Sequence, residues 1–144
     1  MDFTLPPDDD PRRLEIRVWL DTHPHPDRAT LAAGGFIAPH WPGPWGRDAD
    51  AVTQLIIDDE FQRAGVRIPG ASIGVGWAGP TIIAGGTQAQ KERFLPPMLA
   101  NTEDWCQLFS EPEAGSDLAS LRTRAVRDGD HYIVNGSKIW STRA

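Results

Sequence analysis

The sequence predicts an α+β chain: an N-terminal all-α domain over 1–103, then the first strands of an incomplete β-barrel domain over 104–144. Three observations predict this. Apolar residues recur at helical spacing through the first two thirds of the chain. Two Asx-Gly pairs, Asp128-Gly129 and Asn135-Gly136, then separate short alternating runs. Between the two regimes lies a dense turn, FSEPEAGSDLASL at 109–121.

Each element follows from local chemistry. In RRLEIRVWLDTH, Leu14 with Val18 and Ile16 with Leu20 stand at helical spacing; Asp9 or Asp10 supplies a cap and Pro11 suits an early helical position. A second short helix over 27–36 closes near Gly34-Gly35. PHWPGPWG at 39–46 is a rigid loop, because three Pro and two Gly in eight residues bar a regular element. The helix over 50–65 has a wide apolar face of Val52, Leu55, Ile56, Ile57, Phe61 and Ala64, with Asp58, Asp59 and Glu60 as its solvated side. A metal site in that acidic run is disfavoured, since consecutive residues point in different directions. Ser72 to Ala84, with its run IGVGWAGPTIIA, is apolar all round and reads as a helix buried between others, with Pro80 starting or kinking it. TQAQKERFLPPML opens on a capping box, Thr87 with Gln90, and is expected to stop at Pro96-Pro97.

Beyond 103 the period changes. WCQLFS at 105–110 reads as a buried strand. Asp128-Gly129 turns between TRAVR and HYIVN, and Asn135-Gly136 between HYIV and SKIWST. In HYIVN, His131, Ile133 and Asn135 face one side, Tyr132 and Val134 the other. About three strands neither close a barrel nor make a sandwich, so the chain is expected to belong to a longer fold.

The bulk numbers narrow the function. The formal net charge of -6 argues against a nucleic-acid or anionic-membrane surface. One cysteine, Cys106, excludes a disulfide framework and a paired-cysteine zinc site. No apolar run reaches the ~20 residues of a membrane span, and the acidic, Pro-rich start is unlike a secretory signal, so a soluble cytoplasmic protein is expected. Six Trp supply large apolar surface for a core or an interface.

FSEPEAGSDLASL admits two readings. Ser110 with Glu113 fits a capping box, Pro112 suits a helix start and Gly115 allows a positive φ. Alternatively, a Gly- and Ser-rich turn after a strand exposes backbone N–H groups and hydroxyls that suit a flat, carbonyl-edged heteroaromatic ring. Trp140 is a second candidate, a wide plane at a strand end with Thr142 on the same face.

Taken together, Leu108-Phe109-Ser110-Glu111-Pro112-Glu113-Ala114-Gly115-Ser116-Asp117 and Asn135-Gly136-Ser137-Lys138-Ile139-Trp140-Ser141-Thr142 resemble two signatures of the acyl-CoA dehydrogenase family. GTQAQKERFLPPML resembles a third, and the order is the family's. The resemblance implies an N-terminal helical domain, a middle β domain and a C-terminal four-helix domain, of which this chain is the first and the opening of the second. It implies FAD as cofactor, lined by Gln107, Leu108, Phe109, Ser110, Gly115 and Ser116, with Trp140, Ser141 and Thr142 against the ring. Ser110 is expected at the pyrimidine end, Thr142 near N5, and Ser116 also at the acyl-CoA ligand. The implied reaction is α,β-dehydrogenation of an acyl-CoA with hydride transfer to flavin N5. An electron-transfer flavoprotein is the implied acceptor, and relatives are commonly tetrameric. The family's catalytic base lies in its C-terminal domain, so no catalytic residue is assigned here, and the chain alone is expected to be inactive. Glu113 departs from the pattern, standing where the family has a small residue. Two alternatives share these observations: a non-catalytic flavin-binding or subunit-interaction module using Trp41, Trp45 and Trp77, and a flavin oxidase or monooxygenase on the same fold.

Overall fold

The computed structural model describes residues 5–141 and 144. Thr142, one of the expected site residues, lies outside them. The chain divides into two units, Met1–Asp104 and Trp105–Ala144, each described on its own below.

The first unit is helical. Helix α1 spans Pro11–Thr22, α2 Arg28–Ala33 and α3 Ala51–Arg63. A π-helical stretch, Gly74–Ala78, leads into α4, Gly79–Gly85, and α5 spans Gln88–Ala100. Aspartates start three of them: Asp10 accepts from Arg12 N–H at 2.9 Å, Asp27 from Thr30 N–H at 2.8 Å and Asp50 from Thr53 N–H at 2.7 Å. These bonds satisfy amides that the first helical turn leaves without partners. Thr87 and Gln90 form the reciprocal capping box expected for α5. Helix α1 packs on α3, and α2 on α5. The core joins Ile16, Leu20, Leu31, Phe36, Ile56, Ile57, Phe61, Leu95, Met98 and Leu99. Trp19, Phe36 and Phe61 cluster within it, with ring centroids 4.5 to 5.9 Å apart. None of the described helices is long and apolar enough to cross a membrane.

Several expectations are corrected here. Leu14, Val18, Val52 and Leu55 are exposed, because the buried faces of α1 and α3 are narrower than their apolar patterns. Helix α5 runs through Pro96-Pro97 and ends at Asn101, whose φ is +58°. Burial of Leu95, Met98 and Leu99, at about 1.5–3 kcal/mol each, carries the helix past the missing N–H donors. The segment 73–84 is not buried all round: Gly74, Val75 and Gly79 are buried, but Trp77 and Thr81 are exposed. Its many Gly and Ala residues offer too little side chain to anchor every face. The Pro-rich loop 39–49 folds around Trp41, with Arg47 and Ala49 N–H donating to Pro39 O and Asp48 N–H to Trp41 O. Trp41 is thus a core residue, 2% exposed, and is not presented for subunit packing.

The second unit contains one hairpin. Strand β1, Arg124–Asp128, pairs antiparallel with β2, His131–Asn135, in the register Arg124↔Asn135 to Asp128↔His131. The loop is Gly129-Asp130, one residue later than the expected Asp128-Gly129 because Asp128 still pairs with His131, with φ +64° at Gly129. A two-residue hairpin of the II′ kind needs a positive φ at that first position. Among the described residues the sheet has two strands, with all ten of their residues exposed in this unit. Neither WCQLFS nor SKIWS is a strand. An extended run becomes a strand only when a neighbour completes its ladder, and between these two Ile139 N–H donates to Ser110 O without a ladder forming. Asn135-Gly136 therefore ends a strand and does not turn a second hairpin.

The acidic face of α3 is the largest departure. Glu60 is 3% exposed and Arg13 2%. Arg13 donates to both Glu60 and Asp59, and Arg17 donates to Glu60 at 2.7 and 2.9 Å. Asp8 and Arg63 extend the network. The sequence run Asp-Asp-Glu reads as solvated because the two arginines that enclose Glu60, Arg13 and Arg17, sit more than forty positions away. The Arg17 guanidinium chiefly, and Arg13 after it, hold the Glu60 carboxyl below its ordinary value of 4.5 against the opposing effect of burial. A depressed carboxyl contributes stability above its unfolded value and loses it as pH falls through the folded value. Glu60→Ala leaves Arg13 buried and undercompensated. It is expected to destabilise the helical unit by about 3–5 kcal/mol in urea denaturation at pH 7, with the difference from wild type narrowing on acidification. A loss below about 1 kcal/mol, typical of exposed pairs, would mean that water reaches the Arg13 guanidinium.

Candidate functional site

The candidate site is built by the turn after Ser110 and the return of the chain after β2. Glu111 and Ala114 exchange backbone hydrogen bonds, 2.8 Å from Glu111 N–H to Ala114 O and 3.1 Å in reverse. This closes a tight turn over Pro112 and Glu113. No helix starts at Ser110, so the capping-box expectation fails, and Gly115 is not among the glycines of positive φ. The reason is the Glu111 side chain, which pulls the turn inward. Its carboxylate accepts from Arg122 N–H at 2.7 Å, Thr123 N–H at 3.0 Å and Lys138 Nζ at 2.8 Å. Glu111 is only 5% exposed. Lys138 foremost, then Thr123 and the Arg122 amide, hold its carboxyl down to about 2 from the ordinary 4.5.

Lys138 has a second acceptor, Phe109 O at 3.0 Å. Next to it, Ile139 N–H donates to Ser110 O at 3.0 Å. Three consecutive residues, 109–111, are thereby held to two, 138 and 139. Trp140 follows directly, with its side chain in solvent at 85% exposure and its backbone at φ +56°. A left-handed backbone at a bulky residue costs of the order of 1–3 kcal/mol and concentrates at functional sites.

The expected site residues fall into two groups. The structure brings Phe109 and Ser110 beside 138–140, and Ser141 continues that run. Gln107 is half-buried and Leu108 exposed on the approach to Ser110. Gly115 and Ser116 come after the turn, exposed. Glu113 points to solvent and pairs with Arg122, so it neither crowds the loop nor faces the run at 138–140. A short 3-10 turn, Leu118–Ser120, closes the stretch, with Ser120 Oγ donating to Asp117 O at 2.8 Å. Among the described residues no cluster of His, Cys, Asp and Glu forms a metal site.

Glu111 and Lys138 were not among the expected functional residues. A signal for them did exist: each is the one long charged side chain common to its signature, in a setting of small and apolar neighbours. Gly136 completes the arrangement by close approach, since a Cβ there would strike the Thr123 hydroxyl and Cβ.

Residues 11–102 match the acyl-CoA dehydrogenase N-terminal domain and residues 106–144 the acyl-CoA dehydrogenase middle domain. The chain belongs to the acyl-CoA dehydrogenase family. Acyl-CoA dehydrogenase FadE34 of Mycobacterium tuberculosis is 50% identical over 117 residues, 81% of this chain and 16% of that protein. Among solved structures, the Tcur3481-Tcur3483 steroid ACAD is 33% identical with a TM-score of 0.62, over 96% of this chain and 41% of that one. A glutaryl-CoA dehydrogenase from Mycobacterium smegmatis in complex with FADH2 is 25% identical with a TM-score of 0.54, over 95% of this chain and 39% of that one. The chain thus spans well under half the length of each.

Two outcomes are expected from the Glu111 arrangement. The Arg122 and Thr123 amide shifts should titrate with an inflection near pH 2, whereas a carboxyl released to solvent would titrate near 4.5. Gly136→Ala should destabilise the second unit by about 1–3 kcal/mol through overpacking, seen as loss of amide dispersion from β1 and β2 on mild heating. An unchanged spectrum would show that Thr123 can move aside.

Proposed function

We propose that this chain supplies the flavin side of an FAD-dependent acyl-CoA dehydrogenase, with its domain boundary at 103/104. The observation that carries the proposal is the juxtaposition of Ser110 with the 138–140 run, which brings a half-buried serine and an exposed tryptophan onto neighbouring, hydrogen-bonded stretches of chain. That combination fits a flat ring with a carbonyl-bearing rim: an aromatic plane for its face, hydroxyl and amide groups for its edge. Two signatures far apart in sequence meet there, and one relative was solved with FADH2.

In this reading Phe109, Ser110, Trp140 and Ser141 hold the ring, with Gln107, Leu108, Gly115, Ser116 and Thr142 as further contacts, and Ser116 also reaching the acyl-CoA. FAD held by these residues would supply the hydride-accepting chemistry that an α,β-dehydrogenation of an acyl thioester requires. This chain's part is orientation: it seats the ring and excludes water from one of its edges. No catalytic base is assigned to it. Glu111, ionised and saturated by three donors, is unsuited to remove a proton. Because one relative is described as a steroid ACAD, a steroid-derived acyl-CoA is the first substrate class to try with the whole enzyme. An electron-transfer flavoprotein is the proposed acceptor, and oligomerisation is proposed from the family.

Titration of the chain with FAD is expected to give saturable fluorescence quenching. Trp140→Ala should weaken binding about tenfold or more, the size of one aromatic stacking contact, and Ser110→Ala about fivefold, the size of one hydrogen bond. Equal affinities for wild type and both variants would sink the assignment.

A further inference from the structure

We propose that Lys138 is a positioning residue for the flavin ring: by bridging Phe109 O and Glu111 it fixes the spacing between Ser110 and Trp140. The inference rests on the flavin reading above and deepens it, because nothing in that reading assigns Lys138 a role.

The geometry is specific. The two acceptors of Lys138 Nζ belong to residues on either side of Ser110, at 3.0 and 2.8 Å. Ser110 itself is tied by Ile139, the next residue after the lysine. Ser110 therefore sits at the middle of a three-point attachment, and Trp140 is the first residue beyond it. A lysine merely decorating the surface would use one acceptor and be mostly exposed, whereas the Lys138 side chain is 19% exposed. One end of the bridge is itself fixed, since Glu111 also accepts from two successive amides, Arg122 and Thr123, at the entry to β1. The lysine thus connects β1, the signature turn and the tryptophan run through one ammonium. Its charge is matched by the Glu111 carboxylate, so the bridge brings no net charge to the ring edge.

The role differs from simple stapling in one respect that can be measured. If Lys138 positions the ring contacts, local loosening at Ile139 and loss of flavin affinity must occur together and be reversed together by a residue that keeps the charge. The experiment uses the purified chain as wild type, Lys138→Met, which keeps an apolar stem, and Lys138→Arg, which keeps the charge and offers a fork of N–H donors. Hydrogen exchange of the Ile139 amide is read by NMR, and FAD affinity by fluorescence. Lys138→Met is expected to speed Ile139 exchange about tenfold and weaken FAD binding about tenfold, the loss of a charged hydrogen bond, while the cross-strand amides of β1 and β2 are unchanged. Lys138→Arg is expected to recover most of both.

Faster exchange with unaltered FAD affinity would overturn the proposal and leave the flavin reading intact, as the lysine would then only staple the loop. Weaker binding with unaltered exchange would also overturn it, since Lys138 would then touch the ligand directly. No change in either measurement overturns it as well. Absence of saturable FAD binding by the wild type removes the flavin reading, and the positioning role with it, whatever the exchange rates show. Should Lys138→Met lose the β1 and β2 amides, the same two measurements on Glu111→Gln, which keeps the shape of the acceptor and removes its charge, decide between these outcomes.

Discussion

The Glu111 carboxylate organises the second unit. That unit has one two-stranded sheet and little buried apolar surface, so its order cannot come from a hydrophobic core. A two-stranded hairpin alone is marginal in water. What holds the turn, the start of β1 and the return after β2 in one arrangement is a single buried acceptor with three donors from two other stretches of chain. An ionised acceptor forms stronger hydrogen bonds than a neutral one. Leaving it buried with any donor missing is costly, which makes the arrangement close to all-or-none.

The first unit meets a related problem with opposite surroundings. Its apolar core is ample, yet Arg13 and Glu60 are enclosed beside it. Such a pair is weak evidence of stability by itself, because desolvation offsets the attraction. Its effect is on register: Arg13 and Arg17, one turn apart on α1, both reach Glu60, and Arg12 reaches Thr53. Sliding α1 along α3 by one turn would strand a guanidinium away from its carboxylate. In both units, then, a buried charge fixes which residues face one another, while apolar burial or backbone bonding supplies the cohesion.

Much of this was legible in the sequence, and the exceptions share a cause. Helices, caps and the Asp128-Gly129 hairpin were readable because each depends on residues within a few positions of one another. Asp50 before α3 and Thr87 with Gln90 before α5 are examples. The family was readable because its signatures are contiguous. Misreadings arose wherever a distant partner decided the outcome. Glu60 was assigned to solvent because Arg13 and Arg17 are invisible at its own position. Ser110 to Glu113 matched a capping box, but the ties of Glu111 to residues 122, 123 and 138 overrode it. The helix α5 outlasted two prolines because of what Leu95, Met98 and Leu99 pack against. Glu111 and Lys138 were overlooked for the same reason: their meaning is a contact across 27 positions.

Trp140 carries a consequence for which substitutions the site tolerates. Its backbone conformation is one that glycine or asparagine adopts most readily, while its exposed ring is the feature that the proposed flavin contact calls for. The two demands select different amino acids at one position. A glycine there would relax the chain and remove the plane; a phenylalanine or tyrosine would keep a plane and inherit the strain; a valine or isoleucine would suffer the strain and offer nothing in return. Variation at 140 is therefore expected to be confined to aromatic residues in any protein that keeps the ring contact, and to drift toward glycine or asparagine in any descendant that has lost it.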